Sequence, residues 1–185
     1  MTKPIIALDF PSPQDALHFL DGFPKSQSLY LKIGMELYYR GGPDIVQQIS
    51  ARNHEIFLDL KCHDIPNTVE KTMVQIATLG ATMTNIHAAG GLAMMQAARS
   101  GLDQGAAAAN RPRPLLLAVT QLTSTSEEQM HAEQLIPVSL NASILNYARL
   151  AQQAGCDGVV CSPLEASMIH DALGAEFLCV TPGIR

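Results

Sequence analysis

No run of apolar residues in the chain approaches the roughly 20 in succession that a membrane-spanning helix needs, so no span is expected. The apolar segment beginning at Ile5 follows the first residue almost at once, so no secretory leader is expected. Cysteine is sparse. Cys62, Cys156, Cys161 and Cys179 form no C-x-x-C pair and show no metal-type spacing with histidine. Three of them sit in or beside apolar segments, where cysteine behaves as a small buried hydrophobe. Reduced thiols, a cytoplasmic protein and no bound metal are therefore expected. Also missing is a Gly-x-Gly-x-x-Gly after any predicted strand, the fingerprint of dinucleotide binding in an open sheet. Positive charge is short as well: 12 Lys and Arg stand against 17 Asp and Glu, a net charge of -5. That balance excludes the basic footprint of a nucleic-acid partner. An anionic substrate must then be gripped by individually placed lysines and arginines.

What remains is an ordinary globular composition. The 185 residues are 47% hydrophobic and 16% charged, which suits one domain, residues 1–185, with a sizeable core. Strands are expected at Ile5–Phe10, Leu29–Gly34, His54–Lys61, Met83–His87, Leu115–Leu122, Asp157–Cys161 and Phe177–Val180. Helices are expected between them. One follows Ser12-Pro13, with Ala16, Leu17 and Leu20 as its apolar stripe and a stop at Gly22. Another opens at Pro43, with Ile45, Val46 and Ile49 facing inward. A third follows Pro66-Asn67, with Asn67 as N-cap and Glu70 three residues on, and stops at Gly80. Gly90-Gly91 leads into a fourth through Met94, Met95 and Ala98, while Gly105 to Pro114 reads as a frayed end and surface turn. Weak helical potential follows Thr125, then a longer helix from about Ser139 to Ala154, and a last one begins at Ser162-Pro163 with Glu165 at N3.

Strands alternating with helices give a parallel sheet built from right-handed units. An open sheet needs polar groups only near its switch point, whereas here they recur at strand after strand. Asp9, Lys32, Asp59 with Lys61, Thr123, Ser162 and Arg185 all fall at predicted C-terminal strand ends. An eightfold barrel builds its active site on that rim. The expected fold is therefore an α/β class (β/α)8 TIM barrel. Only seven strands are present, so strand eight and its flanking helices are expected to lie beyond Arg185 in a longer protein.

The densest chemistry lies in His54–Thr68, HEIFLDLKCHDIPNT. Residues two apart in a strand share a face, so Phe57, Asp59 and Lys61 are expected on one side and Ile56, Leu58 and Leu60 on the other. Asp64 follows in the turn. An ammonium flanked by two carboxylates keeps its proton, which makes Lys61 a proton donor rather than a nucleophile. The bland alternative is a surface ion pair at a strand end.

Taken together, these segments resemble orotidine 5′-phosphate decarboxylase of the bacterial type. The matching motifs span the chain: A-L-D at 7–9, K-I-G at 32–34, D-L-K-C-H-D-I-P-N-T at 59–68, N-I-H-A at 85–88, A-V-T-Q-L-T-S at 118–124, V-V-C-S at 159–162 and T-P-G-I-R at 181–185. The resemblance implies decarboxylation of orotidine 5′-monophosphate to uridine 5′-monophosphate, the last step of de novo UMP biosynthesis, with no cofactor. It implies that Asp59 faces the substrate carboxylate and that Lys61 delivers a proton to C6 as carbon dioxide leaves. Lys32 and Asp64 complete the charge array, Asp9 holds the ribose hydroxyls and Thr123 contacts the pyrimidine. Pro182, Gly183 and Arg185 begin the loop over the phosphate. Asp64, Ile65 and Thr68 would reach into the neighbouring subunit's site, which implies a homodimer.

Two rival readings exist. Magnesium-dependent sugar-phosphate decarboxylases and aldolases share D-x-K-x-x-D, but not the Ile-Pro-Asn-Thr that follows Asp64 here. A non-catalytic fragment that acts through dimer formation is the other, motivated by the absent last unit. Blander roles are expected elsewhere: a hydrogen bond at a strand end for His63 and His87, packing for Cys62, Met94 and Met95, a solvated face for Glu127 and Glu128, and tight packing at Gly90-Gly91.

Overall fold

A computed structural model of the chain describes residues 4–183. Strands and helices alternate throughout: β1 (Ile5–Ala7), α1 (Pro13–Asp21), β2 (Tyr30–Gly34), α2 (Met35–Ser50), β3 (Glu55–Cys62), α3 (Pro66–Thr78), β4 (Met83–His87), a 3-10 turn at Ala88–Gly90, α4 (Gly91–Ala109), β5 (Leu115–Val119), α5 (Glu127–Glu133), α6 (Leu140–Gln153), β6 (Gly158–Val160), α7 (Ala166–Leu173) and β7 (Leu178–Val180). Strands pair in chain order, β1 to β7. The pairs β1–β2, β2–β3, β5–β6 and β6–β7 are parallel. Every strand expected from the sequence is present, most of them trimmed at the ends.

Contacts divide the chain into two compact units, neither of them continuous in sequence. One holds the chain through Leu60 with Lys71–Thr84 and Gly101–Leu115, and the other holds Lys61–Glu70, Asn85–Ser100 and the chain from Leu116. In the first, Leu31, Ile33, Ile45, Ile49, Ile56 and Leu58 are fully buried. In the second, Ile86, Leu116, Leu117, Ile144 and Val159 are. In β3 the four residues Ile56 to Asp59 are all buried. Both faces of that strand are covered, as in parallel sheets flanked by helices.

Local chemistry explains the helix starts. Ser12 caps α1 by accepting from the Asp15 N–H at 3.1 Å, with Pro13 in the first turn. Ser126 and Gln129 form a full capping box on α5, and Ser139 caps α6. Glu165 accepts from the Ser162 N–H at 2.9 Å, as its N3 spacing predicted, but α7 begins only at Ala166 after an intervening turn.

Three expectations need correction, and a fourth needs extending. Asn67 does not cap α3: the helix already includes Pro66, and the Thr68 and Val69 N–H groups donate to the Ile65 carbonyl. Glu70 instead accepts from Ser100 Oγ at 2.9 Å. The helix expected at Pro43 is present, but a further helical stretch precedes it from Met35, and Gly42 at φ 59° and ψ -157° separates the two inside α2. Gly105 is no frayed end. It lies inside α4, where a Cβ would strike the Val74 carbonyl and come within 2.8 Å of Ala77 Cβ, so only glycine lets the two helices meet. Glu127 is more than a solvated side chain, since its carboxylate accepts from the Leu140 N–H at 2.6 Å.

All four cysteines are free thiols. Burial pushes Cys161 far up, helped by the neighbouring Cys179 and Glu165. Burial likewise raises Cys62 and Cys179, in the latter against the Cys161 hydrogen bond, and it raises the Tyr30 phenol against its bond from Thr82. His54 moves the other way, lowered by burial and then by Arg52, with its Nδ1 accepting from the Leu29 N–H at 3.2 Å. The fold thus holds these groups neutral. Above the thiols' ordinary 9.0 the unfolded chain loses protons that the native state retains, so stability falls as pH rises. Below the ordinary 6.5 of histidine the unfolded chain gains a proton that His54 refuses, so stability falls again as pH drops. Urea midpoints measured from pH 5 to pH 10 are expected to peak between those two values.

Candidate active site

The first compact unit places three charged side chains together. Parallel pairing puts Lys32 of β2 opposite Ala7 of β1, and Gly34 opposite Asp59 of β3. Lys32 Nζ lies 3.1 Å from Asp9 Oδ1 and 3.8 Å from Asp59 Oδ2. Solvent separates the roles of the two carboxylates. The Asp9 side chain is 70% exposed and that of Asp59 12%, so water screens the first pair strongly and the second weakly. A buried carboxylate costs several kcal/mol without a partner, and Lys32 at 3.8 Å helps Asp59 to sit in β3.

Gly34 is the residue of this cluster that the sequence reading passed over. Its φ of -85° is open to any residue. A Cβ there, however, would stand 3.3 Å from Lys32 Nζ and 3.9 Å from Asp9 Oδ1. The missing side chain leaves room for the ammonium. The signal was the K-I-G tripeptide itself, a glycine two residues after a lysine where a strand meets a helix.

The second unit carries the other candidates. Lys61 is half-buried in the last turn of β3, with φ 49°. A left-handed conformation in a residue with a Cβ costs about 1–3 kcal/mol and clusters at functional positions. It also ends the strict two-residue alternation, so the shared face expected for Phe57, Asp59 and Lys61 does not extend to Lys61 by strand geometry. The Lys61 N–H donates to Asn85 Oδ1 at 2.8 Å.

Beyond it, Asp64 is exposed and accepts from the Ile65 N–H at 2.6 Å. Ile65 is 64% exposed and Thr68 lies on the surface at the start of α3. Thr123 is exposed in the loop after β5. Two residues before it, buried Gln121 donates to Gln134 at 3.0 Å and to Ser143 at 3.2 Å, which anchors that loop; the sequence reading did not single it out. Pro182 and Gly183 follow β7 and are exposed, Gly183 at φ 88°, while Arg185 lies outside the described residues. His63 and His87, at the ends of β3 and β4, bring their rings to 5.7 Å. Among the described residues two cavities, of about 410 and 230 Å³, include none of these candidates.

Comparison with known proteins bears on family and fold. The family model described as Orotidine 5'-phosphate decarboxylase / HUMPS family matches residues 2–185. An orotidine 5′-phosphate decarboxylase of Enterococcus faecalis is 56% identical over 183 residues, which are 99% of this chain and 77% of that protein. A crystal structure of orotidine 5′-phosphate decarboxylase from Lactobacillus acidophilus superposes with a TM-score of 0.94 at 40% identity, covering 100% of this chain and 82% of that one. A crystal structure titled as an uncharacterized conserved protein from Geobacillus kaustophilus gives a TM-score of 0.92 at 50% identity, covering 96% of this chain and 82% of that one. The fold class is accordingly the (β/α)8 barrel expected from the strand pattern, with seven of its strands among the described residues.

Proposed function

The chain belongs to the orotidine 5′-phosphate decarboxylase / HUMPS family, is by that membership a carbon–carbon lyase, and, we propose, converts orotidine 5′-monophosphate to uridine 5′-monophosphate as the last step of de novo UMP biosynthesis. The observation that carries the choice of substrate is the identity of 54–56% to curated relatives that bear the decarboxylase name. The family description alone spans two chemistries, and that level of identity favours one.

The proposed mechanism uses this chain's own side chains. Loss of carbon dioxide leaves an electron pair at C6 of the pyrimidine. A fixed ammonium beside that carbon stabilises the charge as it develops and then supplies the proton. Lys61 is the proposed donor, next but one to Asp59 in the chain. Asp59 stands against the substrate carboxylate, with its charge balanced by Lys32 at 3.8 Å. Asp9, the exposed partner of Lys32, would meet the ribose hydroxyls. Thr123 contacts the pyrimidine, and Pro182, Gly183 and Arg185 lead into the phosphate loop. Phosphate binding far from C6 helps drive that loop closed.

Asp64, Ile65 and Thr68 would serve the neighbouring subunit's site in a homodimer. Their exposure supports this, above all that of Ile65, an isoleucine 64% open to solvent. Among the described residues no helix is long and apolar enough to cross a membrane, and a cytoplasmic location is part of the proposal.

The test is direct. Purified protein is mixed with orotidine 5′-monophosphate in the presence of a chelator, and carbon dioxide release is followed with the ultraviolet change of the base. Turnover undiminished by the chelator is expected. Activity that appears only with added magnesium, and on a sugar phosphate instead, would move the chain to the other branch of its family.

A further inference from the structure

Two polar residues stand side by side in the middle of β4, Thr84 and Asn85, and both are fully buried. A buried polar side chain is tolerated only where it is bonded. The partner in each case is the backbone of β3: Thr84 Oγ1 donates to the Leu58 carbonyl at 3.0 Å, and Asn85 Oδ1 accepts from the Lys61 N–H at 2.8 Å. The second bond falls on the residue of β3 that has left the extended conformation, Lys61 at φ 49°. There a side chain, and not a strand carbonyl, takes the N–H.

We propose that Asn85 is a positioning residue: its carboxamide oxygen holds the Lys61 backbone in its left-handed conformation and so aims the ammonium. The inference rests on the reading of Lys61 as the proton donor. The chemistry suits the task. An amide oxygen accepts strongly without a charge of its own, so it adds no field that would compete with the Asp59 carboxylate. Its side chain is short, with two rotatable bonds, and full burial locks it. A conformation that costs free energy persists only when its surroundings over-determine it. A lysine ammonium at the end of four methylenes is no better placed than the backbone from which it projects.

The test compares Asn85→Ala, Asn85→Asp and Lys61→Ala with the unaltered protein, with kcat, KM and amide hydrogen exchange as readouts. Misplacing a catalytic group by about 1 Å costs roughly 100-fold in rate. Asn85→Ala is therefore expected to lower kcat about 100-fold with KM within about threefold, because substrate contacts persist while the donor is misdirected. Exchange of the Lys61 amide should accelerate at least tenfold (an order-of-magnitude expectation from loss of its bond), with Ile56 and Leu58 amides unchanged. Asn85→Asp keeps an acceptor oxygen and should restore the protection of the Lys61 amide, while the buried charge it adds keeps kcat below that of the unaltered protein.

A kcat within threefold of the unaltered value in Asn85→Ala, with Lys61→Ala inactive, overturns the positioning role. So does loss of protection spread evenly across the sheet, the mark of a merely structural residue. If Lys61→Ala itself retains turnover, the donor reading fails, and local exchange still decides whether Asn85 holds the Lys61 backbone. Should Asn85→Ala not fold, the Lys61 amide of the unaltered protein decides: exchange at the rate of an open amide overturns the proposal, and strong protection retained in Asn85→Asp sustains it.

Discussion

Replacing Lys61 by alanine is expected to lower turnover of orotidine 5′-monophosphate by at least about 10⁴-fold, since both charge stabilisation and proton delivery are lost at once. Far-ultraviolet circular dichroism should be unchanged, because Lys61 is half-buried at the end of β3 and no part of the apolar core. Its backbone supplies a second, independent result. At φ 49° alanine retains the steric penalty of the left-handed region and glycine does not. Lys61→Gly should accordingly be more stable than Lys61→Ala by about 1 kcal/mol in urea unfolding. Near-normal turnover in either variant would remove Lys61 from the chemistry. Equal stability of the two would remove the strain from the backbone.

That strain was not legible in the sequence, and the reason is physical. D-x-K in an apolar run reads as regular alternation, and nothing in the side chains announces where the backbone leaves the strand. The charges themselves were legible. Carboxylates and lysines at the ends of apolar runs are costly unless a site uses them, so Asp9, Lys32 and Asp59 stood out, and β1, β2 and β3 bring the three together. Residues that act by lacking something stood out less. Gly34 works by leaving room for Lys32, and Gly105 by letting helices meet, while their sequence contexts suggested a strand end and a frayed helix. The break before Pro43, by contrast, was legible. Gly41-Gly42-Pro43 reads as a breaker, and Gly42 at φ 59° and ψ -157° does separate two helical stretches; the one missed was the stretch from Met35 that precedes it.

Asp59→Asn is the substitution that separates two ways in which a carboxylate can serve decarboxylation. If Asp59 acts by opposing the substrate's own carboxylate, neutralising it should tighten substrate binding as it slows the reaction. If it only orients a lysine, rate falls and affinity stays. We propose the first. Asp59 is mostly buried, and Lys32 stands 3.8 Å from it and 3.1 Å from Asp9. A second carboxylate brought to about 4 Å would meet a repulsion of roughly 4 kcal/mol at an effective dielectric of 20. Partial balance by Lys32 reduces that figure, and the expected result is a gain of at least about tenfold in the affinity for substrate relative to product, worth about 1.4 kcal/mol. The product lacks the carboxylate and serves as the internal reference. The kcat should fall by roughly 100-fold or more. Substrate and product affinities that move together, or not at all, would leave Asp59 as a support for Lys61 and assign the driving force to stabilisation of the C6 charge alone.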